Sequence, residues 1–111
     1  MQLIEKPSGR VLLEDLRQAK TFIQKFRGMM LRRKCGVGSG LWLESCGSIH
    51  TMWMRFPIDV YFIDQQGRIL EIRSGVTPWS IVIPKQRSHA VLEIPHGNPT
   101  FEVGMVVAVQ E

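Results

Sequence analysis

The sequence predicts a mainly β domain of the α+β class, a small β sandwich or half-barrel with one N-terminal helix packed against it. Short apolar runs separated by turn residues recur between residues 41 and 109, a pattern typical of small sandwiches and barrels. The helix is predicted by apolar residues at three- and four-residue steps, the spacing of one helical stripe: Leu16, Ala19, Ile23, Phe26 and Met30.

The first third of the chain is predicted to hold a hairpin and the helix. Residues 3–4 and 11–13 read as two short strands joined through the turn residues Pro7, Ser8 and Gly9. The helix is placed at residues 15–27, with Asp15 as its N-cap and Gly28 as its stop. The glycine-rich residues 32–40 then form a loop.

The rest of the chain is predicted to consist of strands and turns. Residues 64–67 (Asp-Gln-Gln-Gly) form the turn of a hairpin between two β-rich runs. Segment 74–88 reads as a long excursion with at most one brief strand at residues 81–83. The strands are predicted at residues 41–44, 49–54, 59–63, 68–73, 90–94 and 105–109.

Composition limits the possible classes of protein. A chain of 111 residues with 44% hydrophobic and 22% charged residues forms one domain, residues 1–111, with no disordered or fibrous character. The longest apolar run, Met105 to Val109, is too short to span a bilayer, and no membrane partner is expected. Without a recognisable signal peptide, the two cysteines are expected to be reduced thiols and the protein cytoplasmic.

Positive charge is concentrated at the N-terminal end. Residues 1–35 carry nine Lys and Arg against three acids, whereas residues 36–111 carry five against seven. An anionic partner, including nucleic acid, could bind this basic N-terminal third of the chain. A solvated helix face would explain the same excess of Lys and Arg. The only aromatic residues there, Phe22 and Phe26, do not favour nucleic-acid binding, because Phe26 belongs to the apolar stripe and Phe22 adjoins it.

The segment from Ile49 to Val60 combines polar and bulky apolar residues more densely than any other. A strand with this composition could line a pocket, with His50 and Asp59 as acid and base and Arg55 as an anion clamp. A purely structural interpretation is also open, in which Asp59 and Arg55 pair and His50 is a hydrogen-bonded core residue.

Metal and phosphate sites are not indicated. Cys46 and His50 are four residues apart and would lie about 13 Å from each other in an extended chain, too far to share a zinc ion. The glycines of residues 36–40 lack the Lys-Ser/Thr pair and the following helix of a phosphate-binding loop. No metal and no cofactor are therefore predicted.

Several blocks of the chain resemble domain-of-unknown-function family 192, an uncharacterised prokaryotic family. The blocks are residues 26–32, 40–43, 50–64, 67–69 and 91–97, which together run through nearly the whole chain. The resemblance implies a compact, mostly β domain of sandwich or half-barrel type with one helix packed against it. One departure is that Gly104 is followed by Met105, where the family often has aspartate.

The favoured function is a non-enzymatic module that binds a small ligand or a partner in a pocket around the His50–Asp59 segment. The candidate ligand-binding residues are His50, Trp53, Arg55, Asp59 and Glu93. The alternative is a hydrolase-type enzyme that uses His50 with Asp59 or Glu93, so whether the protein is an enzyme stays open. Nucleic-acid binding by the basic third ranks below both.

The helix stripe and the strand faces are expected to bury each other in one core. The predicted members of this single cluster are Ile23, Phe26, Leu41, Leu43, Phe62 and Leu92.

Overall fold

A computed structural model describes residues 1–19, 39–44, 49–50, 56–77, 79–97 and 101–111. Within these ranges the chain forms strands and no helix, and none of the described elements is a helix that could span a membrane. The strands are β1 (Gln2–Lys6), β2 (Val11–Leu13), β3 (Asp15–Ala19), β4 (Ser39–Glu44), β5 (Ile49–His50), β6 (Ile58–Ile63), β7 (Ile69–Val76), β8 (Ile81–Val82), β9 (Ala90–Pro95) and β10 (Val106–Gln110).

Two sheets dominate the described part, and a short β5–β8 pair accompanies them. The larger sheet has the strand order β3-β4-β9-β6-β7, in which β3 and β4 are parallel and every other pair is antiparallel. The smaller sheet has the order β10-β1-β2 and is antiparallel throughout. The mainly β prediction is confirmed, as is the N-terminal hairpin, and the described strands do not close into a barrel.

The two faces of the larger sheet bury different sets of apolar side chains. One set, here called the intersheet cluster, joins both sheets and consists of Leu3, Leu13, Leu16, Trp42, Tyr61, Ile63, Ile69, Ala90, Leu92, Ile94, Phe101 and Val107. The other, the outer-face cluster, includes Val82 of β8 and consists of Leu41, Leu43, Ile58, Val60, Phe62, Val82 and Val91. The larger sheet is therefore buried on both faces, which explains why β6 and β9 are buried along their whole length.

The predicted N-terminal helix is wrong over the residues that the structure describes. Asp15–Ala19 is strand β3, which pairs in parallel with β4, so Asp15 is not an N-cap. The backbone N–H of Leu16 donates to the carbonyl of Met1 at 2.8 Å, and the Leu16 side chain is buried in the intersheet cluster. Pairing with β4 outweighs the helical spacing because propensity is weak beside tertiary contacts. Residues 20–27 lie outside the described residues.

The predicted single core is also corrected. Leu41, Leu43 and Phe62 belong to the outer-face cluster, whereas Leu92 belongs to the intersheet cluster. Side chains alternate along a strand, so Leu92 faces away from its neighbour Val91 and from Phe62 opposite Val91. The predicted contribution of Ile23 and Phe26 falls outside the described residues.

The hairpin turn at residues 64–67 is confirmed. Asp64 Oδ1 accepts hydrogen bonds from the backbone N–H groups of Gln66 and Arg68, and Gly67 N–H donates to the Asp64 carbonyl at 3.1 Å. The turn directs β6 into β7, which forms one edge of the larger sheet. The predicted loop at residues 32–40 differs at its end, because Ser39 and Gly40 already belong to β4.

Candidate functional site

Asp59 is a buried carboxylate on β6 that faces the intersheet side of the larger sheet. Its cross-strand partner Ile94 belongs to the intersheet cluster, while its neighbours Ile58 and Val60 belong to the outer-face cluster. A charge at this depth is costly unless it is hydrogen-bonded. Strand β7 supplies two donors to Asp59 Oδ1, the backbone N–H of Gly75 at 2.8 Å and the hydroxyl of Ser74 at 3.1 Å.

A β-bulge in β7 places these two donors. Ile58 pairs with Val76 and Val60 with Arg73, so one residue of β6 between these pairs is matched by two residues of β7. Ser74 and Gly75 together therefore lie opposite Asp59. Gly75 has a φ of 63°, which favours glycine at this position. The bulge aims both donors at a single carboxylate oxygen.

His96 completes the group around Asp59. It follows β9 directly, and its Nδ1 lies 2.8 Å from Asp59 Oδ1. The backbone N–H of His96 donates to the Pro57 carbonyl at 3.0 Å. Because Asp59 Oδ1 already accepts two hydrogen bonds as a carboxylate, Nδ1 is the donor and Nε2 of the neutral ring is left as an acceptor.

The imidazole of His96 is held in place but accessible. Its side chain is 49% exposed, against 1% for Asp59. The ring stands over Gly75, where an added Cβ would lie 3.6 Å from Cε1. The Asp59 hydrogen bond orients the ring, so Nε2 is a preorganised polar contact at the surface.

Two buried polar atoms on the intersheet side of β6 have no close hydrogen-bond partner among the described residues. They are Asp59 Oδ2 and the hydroxyl of Tyr61, both buried. Burial raises the pKa of Tyr61, contact with the Phe101 backbone opposes this rise, and the Asp59 charge adds to it. The coupling indicates that the carboxylate and the phenol lie close together on the intersheet side.

Glu93 lies on the opposite face of the same sheet. It pairs with Leu41 on one side and Val60 on the other, both members of the outer-face cluster. Burial raises the pKa of Glu93 to about 8. The carboxyl group is therefore protonated and neutral over most of the physiological range.

Two of the five predicted site residues can be placed fully, and the structure separates them. Asp59 and Glu93 face opposite sides of the sheet, so one pocket on either face cannot include both. For His50 only its place in β5 is described, and Trp53 and Arg55 lie outside the described residues. These five residues stay a prediction as a set.

Sequence reasoning missed His96, Ser74 and Gly75. A usable signal was the glycine in an otherwise β-rich run, since glycine within a strand often marks a bulge. His96-Gly97 immediately after a buried strand was the other signal. Over the ranges that the structure describes, no three potential ligands among His, Cys, Asp and Glu are grouped to hold a metal ion.

Removing the Asp59 carboxylate tests its structural role. We expect Asp59→Ala to lower the free energy of unfolding by about 2–3 kcal/mol, because the part-buried Gly75 N–H loses its acceptor. Ser74→Ala is the matched control and should cost about 1 kcal/mol, since the Ser74 side chain is exposed. Urea denaturation of both variants measures the difference, and equal small losses would mean that Asp59 does not hold the bulge.

Comparison with known proteins identifies relatives but no activity. The profile of family DUF192, described as "Uncharacterized ACR", matches residues 3–107. A UPF0127 protein of Thermococcus sibiricus is 31% identical over 99 residues. The aligned region covers 86% of this chain but only 64% of that relative, so this chain matches less than two thirds of the relative's length. A UPF0127 protein of Pyrococcus horikoshii is 34% identical over 86 residues, covering 75% of this chain and 74% of that one.

Two solved structures share the fold. A protein of unknown function from Novosphingobium aromaticivorans superposes with a TM-score of 0.82 at 20% identity, covering 98% of this chain and 84% of that chain. A protein from Sinorhizobium meliloti, whose proposed role is transcription regulation, superposes with a TM-score of 0.78 at 24% identity, covering 96% and 89%. At these identities the likeness shows the fold alone.

Proposed function

This chain belongs to the DUF192 family, and we propose that it is a small-ligand-binding module whose site is centred on His96 and Asp59. The observation that carries the proposal is the half-exposed imidazole of His96, oriented by a buried carboxylate 2.8 Å from its Nδ1. The proposal keeps Asp59 from the predicted pocket and replaces His50 by His96 as the histidine that contacts the ligand.

The ligand we propose carries a polar group that hydrogen-bonds to His96 Nε2. Because the ring is already oriented by Asp59, a ligand does not have to order it, and less affinity is lost on binding. Nε2 accepts a hydroxyl or amine proton when the ring is neutral. It donates to a carboxylate or phosphate oxygen when the ring is protonated.

Binding is favoured over catalysis by the hydrogen bonds of Ser74. Its hydroxyl donates to Asp59 Oδ1, the same atom that accepts from His96, so the imidazole does not activate this hydroxyl as a nucleophile. A binding site needs only the oriented polar group and a surface around it.

A ligand screen tests the proposal. We expect a library of metabolites, measured by thermal shift, to contain a compound that stabilises the wild type but not His96→Ala. A compound at about 100 times its dissociation constant adds about 2.7 kcal/mol, or a shift of about 10 °C in Tm. His89→Ala, another exposed histidine, is the control and should keep the shift. A compound that stabilises all three proteins equally would contradict a site at His96.

A hydrolase-type enzyme is the second candidate, favoured by the Asp59–His96 pair itself. A buried carboxylate that fixes Nδ1–H leaves Nε2 to take a proton from water, and the carboxylate stabilises the charge that develops on the ring. Turnover of simple esters or phosphate esters by the wild type, lost in both His96→Ala and Asp59→Asn, would favour this function over binding alone.

A further inference from the structure

Three large apolar side chains are exposed within five residues on the segment that connects β7 to β9. Trp79, Ile81 and Ile83 are 61%, 65% and 68% exposed. Val82, between the two isoleucines, is buried in the outer-face cluster. Single exposed apolar residues are ordinary, but three large ones within five residues indicate an interaction surface.

The backbone of this segment is strained at one end and tied to β7 at the other. Trp79 has a φ of 64°, a left-handed conformation that is costly for a bulky residue. At the far end of the segment, the backbone N–H of Lys85 donates to Glu71 Oε1 at 2.8 Å, which ties the segment to β7. Strain of this kind persists where the surrounding structure imposes it and is frequent at binding surfaces.

Two cations lie next to these residues, and Glu71 is the carboxylate placed against one of them, Lys85. Lys85 and Arg87 are exposed, and residues 77–89 contain no aspartate or glutamate. The whole chain has a net charge of +4. Peripheral membrane proteins present this combination of side chains, tryptophan and isoleucine next to lysine and arginine, to the interface of anionic bilayers.

We propose that Trp79, Ile81, Ile83, Lys85 and Arg87, here called the Trp79 surface, bind the surface of an anionic lipid bilayer. The apolar side chains enter the headgroup region, and the two cations stay at the level of the lipid phosphates. This revises the expectation of no membrane partner, because the sequence shows that these residues are apolar but not that they are exposed.

Other occupants fit the surface less well. Addition of a β-strand is disfavoured because β8 is only two residues long and is followed closely by Pro84. A symmetric contact between two copies would bring the cations of both chains to one interface, where no acidic residue of the segment compensates them. The surface is independent of the His96 site, since it shares none of its residues.

Co-sedimentation with lipid vesicles tests this proposal. We expect the wild type to bind vesicles of phosphatidylcholine mixed with phosphatidylglycerol, to bind pure phosphatidylcholine more weakly, and to lose affinity as salt increases. The double variant Ile81→Ser/Ile83→Ser should bind the mixed vesicles at least about tenfold more weakly, because two apolar side chains no longer enter the bilayer. Lys85→Gln/Arg87→Gln should remove most of the preference for anionic lipid.

Matched controls keep the result specific. Val103→Ser removes an apolar side chain that is 62% exposed but outside the Trp79 surface, and it should bind as the wild type does. His96→Ala should also leave vesicle binding unchanged. All the variants alter exposed side chains, and thermal melts verify that each one folds.

Three results would overturn the proposal. The first is a wild type that binds neither kind of vesicle, and the second is equal binding by the wild type and the isoleucine double variant. The third is a dimer in sedimentation velocity that the isoleucine variant abolishes while vesicle binding is absent, which would assign the surface to a second copy of the chain.

Discussion

Raising the pH from about 4.5 to about 8 is expected to lower the free energy of unfolding by about 4 kcal/mol through Glu93 alone. The pKa of this carboxyl is about 8 in the folded chain, against 4.5 for a glutamate that is exposed to water in the unfolded chain. Between these values the unfolded chain releases a proton that the folded chain retains. The stabilisation by Glu93 is therefore fully present below the unfolded-chain pKa of 4.5. It is lost as the pH rises through the folded-chain pKa of about 8.

Glu93→Gln should remove this dependence, because the amide is neutral at every pH. Urea denaturation of both proteins at pH 5 and pH 8 should show a wild type that loses stability and a variant that changes much less. Glu102→Gln, at an exposed position, is the control and should follow the wild type. A difference between wild type and Glu93→Gln that is the same at both pH values would show that Glu93 does not titrate in this range.

Gly67→Ala is expected to lower the free energy of unfolding by about 4 kcal/mol. A Cβ at Gly67 would lie 2.2 Å from the carbonyl oxygen of Val107, and the residue has a φ of 87°. The obstructing atom is backbone, and the Gly67 carbonyl accepts the Val107 N–H at 2.8 Å. The turn and β10 must therefore separate to admit a methyl group.

Gly9→Ala separates the two causes of the loss expected for Gly67→Ala, which are the positive φ and the steric clash with Val107. Gly9 has a similar φ of 77°, but nothing lies within 4 Å of its added Cβ, so the variant bears only the backbone strain of about 1 kcal/mol. Urea denaturation of both variants gives the comparison. Equal losses would mean that the close approach between Gly67 and β10 does not contribute.

Local pattern was sufficient to predict most of the described strands and the hairpin turn at residues 64–67. It failed at residues 15–19, where the apolar spacing fits a helix but the backbone pairs with β4, more than twenty residues later. The two-cluster core was missed for a related reason. Leu41 and Leu92 are both apolar, and only the register between β4 and β9 shows that they face opposite sides.

The candidate site was predictable only in part. Asp59 was identifiable because a carboxylate in an apolar strand requires partners. Its partners were not, since Ser74 and Gly75 reach it through a bulge and His96 follows a different strand. Neither the extra residue of a bulge nor a pairing between distant strands leaves a periodic trace in the sequence.

The bulge in β7 also limits how the length of this strand can change during evolution. Ile72 packs against the intersheet cluster and Val76 against the outer-face cluster, although residues four apart in a regular strand would share a face. Deleting one residue between Ile72 and Val76 would turn the β7 side chains on one side of the deletion to the opposite face of the sheet. Insertions and deletions should therefore be rare between Ile72 and Val76 among functional homologues, even though β7 is an edge strand, where changes in length are ordinarily tolerated.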